Sequence, residues 1–185
     1  MSDYRTIFGA VISDPLCLAN LDWGEARPGH PEGTVRAHIA ELERNLEMLR
    51  PRLSDEEYWK LRLLVHVHDC FKAQAQAGVP ITHPKSHASL AREFLATYCH
   101  DPDLLAMVQY HDEPLALYRQ AKHKGKYDGE RFAALLNAIC DWNLFLAFML
   151  IDGCTAGKTR EPLAWFFQEV AGKVDSRFTD AEIPS

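Results

Sequence analysis

The chain has 185 residues, which suits one domain at roughly 150 residues per domain. At 47% apolar and 25% charged, with ten glycines and ten prolines, it is neither disordered nor collagen-like nor a linker. A net charge of −6 gives no basic field for a nucleic acid polymer or an anionic membrane.

The opening segment MSDYRTIFGAVISD has a short apolar run and no basic n-region, so no signal peptide is expected. Its spacing predicts a helix over Tyr4 to Ile12. The stretch Asn20 to Gly33, rich in proline and glycine, reads as a loop. A helix is predicted from about Thr34 to Arg50, stopped by Pro51. Ser54 and Glu57 form a capping box that opens a helix from Asp55 to about Cys70. After a loop at Val79 to Thr82, Pro84 is expected at the first helical position of an element reaching about Tyr98. Asp101 and Pro102 start the next, to about His111. Pro114 to Lys122 reads as a separate helix before an exposed Lys124-Gly125-Lys126 turn. A long core helix is predicted from about Gly129 to Asp152, and an amphipathic one from Glu161 to Ala171. The polar tail begins at Lys173. No segment alternates as a strand, so the fold class is all-α, a single domain over residues 1–185. The apolar run Ala133 to Ile151 is long enough to span a bilayer, but Asn137, Asp141 and Asn143 favour a core helix.

Nine histidines and five cysteines stand out. The odd cysteine count without a CxxC pair argues against a disulfide framework or a thiolate zinc site and points to reduced thiols in a cytoplasmic setting. Cys70 and Cys140 are expected to fill core space. Helical spacing places His38 on the stripe of Val35, Ile39, Leu42 and Leu46, and His68, beside Asp69, on that of Leu61, Leu64 and Val65. His87 shares a face with Leu90, Ala91 and Phe94, and His111 with Leu104, Met107 and Val108. Asp152 shares one with Phe145, Phe148 and Met149. A buried polar group without a partner costs several kcal/mol, on the order of 2–7, so these inward groups need partners. Facing side chains of helix bundles build metal sites in this way. A nitrogen and oxygen donor set without cysteine suits Fe, Mn, Co, Ni, Zn or Mg. His66 points elsewhere, His100 and His123 fall at exposed turns, and His30 and His83 are loop residues flanking the site.

The series His38, His68-Asp69, His87, His111, Asp152 resembles the HD-domain superfamily of metal-dependent phosphohydrolases, in its form with two metals. HPEGTVRAH at 30–38 and VHDCFK at 67–72, with Lys72, look like family segments, as do HPKSHASLA and VQYHDEP. The resemblance covers about residues 28–160. It implies an HD-type helical bundle that hydrolyses a phosphate ester or phosphoanhydride of a small, anionic substrate, a nucleotide being the commonest theme. It implies two divalent ions on His38, His68, Asp69, His87, His111 and Asp152, with Asp69 bridging. Asp141, on a similar face, is the alternative last ligand or a residue supporting the ligands; Asp152 is preferred because it ends its helix in LIDG. Lys72 either touches phosphate or lies on the surface. Asp112 either orients water or the leaving group, or is a solvated helix-end carboxylate. Arg27 and His30 are candidates for substrate binding at the mouth. Some relatives in this superfamily hold two irons and activate dioxygen, and the ligand set does not separate them from hydrolases. A metal-binding regulatory module without turnover is a further alternative. Members are often homodimers, which nothing in this chain decides. GCTAGKT at 153–159 lacks the spacing of a phosphate-binding P-loop and reads as a helix-ending turn, with contact of Lys158 or Arg160 to substrate the lesser alternative.

Overall fold

The computed structural model describes residues 3–183, and among them no β-strand occurs. Asp3 caps α1 (Tyr4–Ile12), accepting from the amides of Arg5 and Thr6. A short α2 (Pro15–Leu18), capped by Asp14, was not legible from periodicity because it is a single turn. Thr34 caps α3 (Val35–Leu49) by accepting from the Ala37 amide, and Pro51 lies in the 3₁₀ turn that ends it. The Ser54–Glu57 capping box opens α4 (Asp55–Val67) as expected, a device worth about 1 kcal/mol. This helix stops three residues short of Cys70, because the chain turns at His68 and Asp69.

Ser86, not Pro84, starts α5 (His87–Ala96). The Ser86 hydroxyl accepts from the Ser89 amide, while its own amide is spent on the His83 carbonyl at 2.8 Å. Asp101 caps α6 (Pro102–Tyr110), and α7 (Glu113–Lys124) ends at Gly125 in the left-handed region. The expected long helix to Asp152 is two elements, α8 (Gly129–Ala138) and α9 (Trp142–Gly153), with axes 115° apart. The Asp103 carboxylate causes the break by accepting from the amides of Cys140 and Asp141, at 2.7 and 2.8 Å. Asp141 then caps α9 through the Leu144 amide. Cys140 is consequently exposed at the bend and fills no core space. Among the described residues no single helix is long and apolar enough to cross a membrane.

Helices α3, α4 and α9 pack on one another at the centre, with α1 and α6 against α4. Helix α10 (Glu161–Val170) closes the far side against α7 and α9. Residues Leu144 to Ile151 of α9 are buried without interruption. Its fully buried Phe145 and Phe148 each contribute about 1.5–3 kcal/mol of burial. Buried Asn45 of α3 donates to the Ile151 carbonyl at 2.8 Å, which ties α3 to α9 one residue before Asp152.

Candidate metal centre

Five helix ends and one loop meet at one place. His38 comes from the first turn of α3, and His68 caps the C-terminus of α4 with Asp69 next to it. His87 opens α5, His111 caps the C-terminus of α6, and Asp152 lies in the last turn of α9. Helix ends suit this work because their backbone groups lack intrahelical partners and can orient side chains. The His68 Nδ1 lies 3.2 and 3.0 Å from the carbonyl oxygens of Leu64 and Val65, and the His111 Nδ1 lies 2.8 Å from that of Val108. Both rings therefore donate from Nδ1 and turn a bare Nε2 inward.

The six residues of the ligand series form two groups, beside a third made of His30, Glu32 and His38. His38 Nε2 lies 3.0 Å from Asp152 Oδ1, and His68 joins them as three ligand atoms within 4.8 Å of one another. Asp69, His87 and His111 form the second group, with the two Nε2 atoms of the histidines only 3.1 Å apart. Asp69 stands between the groups. Its Oδ2 is 3.4 Å from His68 Nε2, while its Oδ1 is 3.7 and 3.6 Å from the Nε2 atoms of His87 and His111. One carboxylate thus presents an oxygen to each group.

The satisfaction of these groups is incomplete in an informative way. Among the described residues, four buried side-chain atoms find no hydrogen-bond partner: Glu32 Oε2, His38 Nδ1, His68 Nε2 and Asp69 Oδ1. Two of them, His68 Nε2 and Asp69 Oδ1, are inward ligand atoms, and the other two lie behind His38 at the 27–34 loop. A buried polar atom left unpaired costs about 1–3 kcal/mol, so the inward pair calls for an unmet ligand. Imidazole and carboxylate donors in this arrangement can hold a metal ion.

Two lysines stand against the carboxylates. Lys72 Nζ is hydrogen-bonded to Asp69 Oδ2. Lys158 Nζ lies 2.7 Å from Asp152 Oδ1 and 3.1 Å from its carbonyl oxygen. Burial by itself raises the Asp69 carboxyl, but Lys72 and His68 outweigh it and hold the group well below the usual carboxylate range. Asp152 follows the same pattern, with Lys158 and His38 overcoming burial. Burial pushes the His68 imidazole down, toward the neutral form a metal requires. Burial also disfavours charge on His111, yet Asp112 and Asp69 carry it above its ordinary value. Asp112 occupies the N-cap position of α7 but makes no capping bond; its Oδ2 instead lies 3.3 Å from His87 Nε2.

The cluster floors a cavity of about 690 Å³, within the range of small-molecule sites. His68, Asp69 and Asp152 face it, and Arg27, His30, Lys72, Arg119 and Lys158 stand in its wall. The opposite wall is apolar, with Met149, Leu163 and Phe166 of α9 and α10. Two loops complete it. Gly157, at φ +79°, brings the 154–160 turn against the 27–34 loop, and a Cβ there would sit 2.7 Å from Pro31 Cδ.

The structure therefore brings together His38, His68, Asp69, His87, His111, Asp152, Lys72 and Asp112, and sets Arg27 and His30 in the wall. It does not bring Asp141, which is occupied at the α9 N-terminus. His83 accepts from the Lys85 amide and does not line the cavity. His66 is held by Glu43 at 2.7 Å, away from the cluster. Lys158, expected chiefly as part of a helix-ending turn with contact to substrate the lesser alternative, stands in the cavity wall, and Glu32 beside the cluster has no sequence signal of its own. No protein-family model matches the chain, and neither does any curated protein or solved structure.

Proposed function

We propose that the chain is an HD-type, metal-dependent phosphohydrolase acting on a phosphate ester or phosphoanhydride of a small anionic substrate. One observation carries this reading: unpartnered imidazole and carboxylate atoms meet at the floor of a cavity whose wall holds four lysine and arginine side chains. His38, His68 and Asp152 would hold one divalent ion, and Asp69, His87 and His111 a second, with Asp69 shared. Fe, Mn, Co, Ni, Zn and Mg all accept such donors. Divalent ions bound there supply an acidified water and neutralise charge on phosphoryl oxygens.

The chain's own groups do the rest. Lys72 and Lys158 each place an ammonium beside a ligand carboxylate and toward the cavity, where they can donate charge-assisted hydrogen bonds to phosphate oxygens. Asp112 is held as a carboxylate against burial by His111 and His87, so it can accept a hydrogen bond from an attacking water. Arg27 and Arg119 at the mouth draw in an anion despite the net acidic surface. The apolar wall excludes water from the far side of the substrate.

The test is metal analysis after anaerobic purification, followed by phosphate release from a panel of phosphomonoesters and nucleotides. Manganese-supported release that is lost in His68→Ala supports the reading. Two bound irons with dioxygen-dependent turnover and no phosphate release would overturn it. Absence of any retained divalent metal would remove the enzyme reading altogether.

A further inference from the structure

Glu32 carries an enclosed carboxylate beside the metal cluster that no step above uses. Its side chain is 4% exposed, yet it comes from a loop and not from a helix face. The loop is pinned before it: Arg27 and His30 exchange backbone hydrogen bonds at 3.0 and 2.8 Å. It is pinned after it by Gly33, whose φ of +82° turns the chain into the α3 cap. Between these points the Glu32 carboxylate is aimed inward. Its Oε1 lies 3.0 Å from His30 Nδ1 and 2.9 Å from His38 Nδ1. One oxygen therefore lies between two imidazoles, hydrogen-bonded to the one in the cavity wall and facing the one in the metal cluster.

Two of the four clustered histidines share a design that gives this contact meaning. His68 and His111 each spend Nδ1 on a helix carbonyl and present Nε2 inward. His38 presents Nε2 inward as well, toward Asp152, but it sits in the first turn of its helix, where no carbonyl of a preceding turn is available to its ring. Glu32 is the acceptor that stands in that place. The His38 Nδ1 and Glu32 Oε1 are close but off the N–H axis, and Glu32 Oε2 has no partner. A carboxylate kept buried with one oxygen unpaired is costly, so its place here is set by the imidazoles its other oxygen faces.

We infer that Glu32 is a positioning residue that fixes His38 as the Nδ1–H tautomer, leaving Nε2 to the metal, and holds His30 in the cavity wall with the same oxygen. The inference rests on the metal-dependent reading and adds to it a residue that touches neither metal nor substrate. It couples metal retention to the loop that forms the cavity mouth, because moving Glu32 releases both imidazoles together.

The experiment is titration calorimetry of the whole chain with Mn²⁺ alone, comparing the native protein, Glu32→Leu, Glu32→Gln and His30→Ala. Loss of an orienting partner behind a metal-ligating histidine weakens metal binding about 10- to 100-fold. Glu32→Leu should show that loss. Glu32→Gln keeps an acceptor oxygen at the same reach and should bind close to native, and His30→Ala, which leaves the Glu32–His38 contact, should do the same. Native-like affinity in Glu32→Leu, with only a lower melting temperature, would make Glu32 mere loop packing and overturn the inference. Equal losses in the leucine and glutamine variants would assign the effect to charge and overturn it too. If the leucine variant does not fold, nitrogen chemical shifts of His38 in the native metal-free chain decide, and an Nε2–H tautomer refutes the proposal. Native protein that binds no divalent ion fails the underlying reading itself, an outcome distinct from intact binding in Glu32→Leu.

Discussion

His68→Ala isolates the metal contribution better than any other change, because the ring is buried and its Nε2 has no partner in the protein. Without metal, the variant loses the Nδ1 bond to the Leu64 and Val65 carbonyls, worth about 1 kcal/mol. It also loses the edge-to-face contact with Phe148 at 5.2 Å, worth about 0.5–1.5 kcal/mol. Against this, it removes an unpaired buried nitrogen that costs about 1–3 kcal/mol. These terms nearly cancel, but the space left by the buried ring adds a cavity cost of about 2–5 kcal/mol, so the metal-free variant should melt below native protein. With metal the two should part further. A divalent ion at about 100 times its dissociation constant stabilises the native state by about 2.7 kcal/mol. For a chain of this length each kcal/mol moves the midpoint by about 2–4 °C, giving a rise of about 5–11 °C. Thermal unfolding with EDTA and with excess Mn²⁺ should show that rise in native protein and almost none in His68→Ala. His66→Ala is the control, since His66 is bound to Glu43 and meets Phe8 edge-to-face at 4.9 Å, outside the cluster. A full metal-induced rise in His68→Ala, or its loss in His66→Ala, would refute the assignment of the cluster as the metal site.

Three further changes test how the scaffold holds the site. Arg131 makes two 2.6 Å hydrogen bonds to Glu113, whose side chain is 2% exposed at the start of α7. Arg131→Ala strands that carboxylate and should cost about 2–3 kcal/mol in urea unfolding, less than a fully enclosed pair because Arg131 is partly solvated. Gly157→Ala should lower the melting temperature and weaken Mn²⁺ binding in the same protein, since its Cβ would meet the Pro31 ring and push the Lys158 turn away. Asp101 is opposed by burial, but Tyr4 and Lys60 together hold its carboxyl below its ordinary value of 3.8. Its folded value is depressed, so its contribution is present above about pH 4 and disappears as pH falls through the folded value. Unfolding midpoints of Asp101→Asn should therefore fall less steeply than native ones on acidification below that pH.

What could be read from the sequence was whatever repeats with the helical period or sits at a helix cap. Ser54 with Glu57, and Asp101 with Pro102, marked their helix starts because capping is settled within four residues. The inward histidines were visible for the same reason: a polar residue on an apolar stripe stands out against its neighbours at i−3 and i−4. The break between α8 and α9 was hidden because no glycine or proline marks it. The residue that makes it, Asp103, lies 37 and 38 positions away in sequence from the amides it caps. A local pattern cannot report a cap supplied by another helix.

The same distinction explains which charges of the site escaped notice. Lys72 follows Asp69 by three residues and could be placed one turn on. Lys158 also follows its carboxylate closely, by six residues, but only after α9 has ended and the chain has reversed through Gly157. Glu32 precedes His38 by the same interval, again across a turn that depends on a positive-φ glycine, Gly33. In both cases spacing was short, yet direction was set by a glycine conformation that leaves no periodic trace. The physical requirement was nevertheless stated by the stripes themselves. Two carboxylates facing a core need compensating positive charge, and the segment just after α4 carries only one such lysine, Lys72. The second comes from the glycine-containing turn TAGK as Lys158, while the turn HPEG supplies in Glu32 an acceptor for imidazole and no compensating cation.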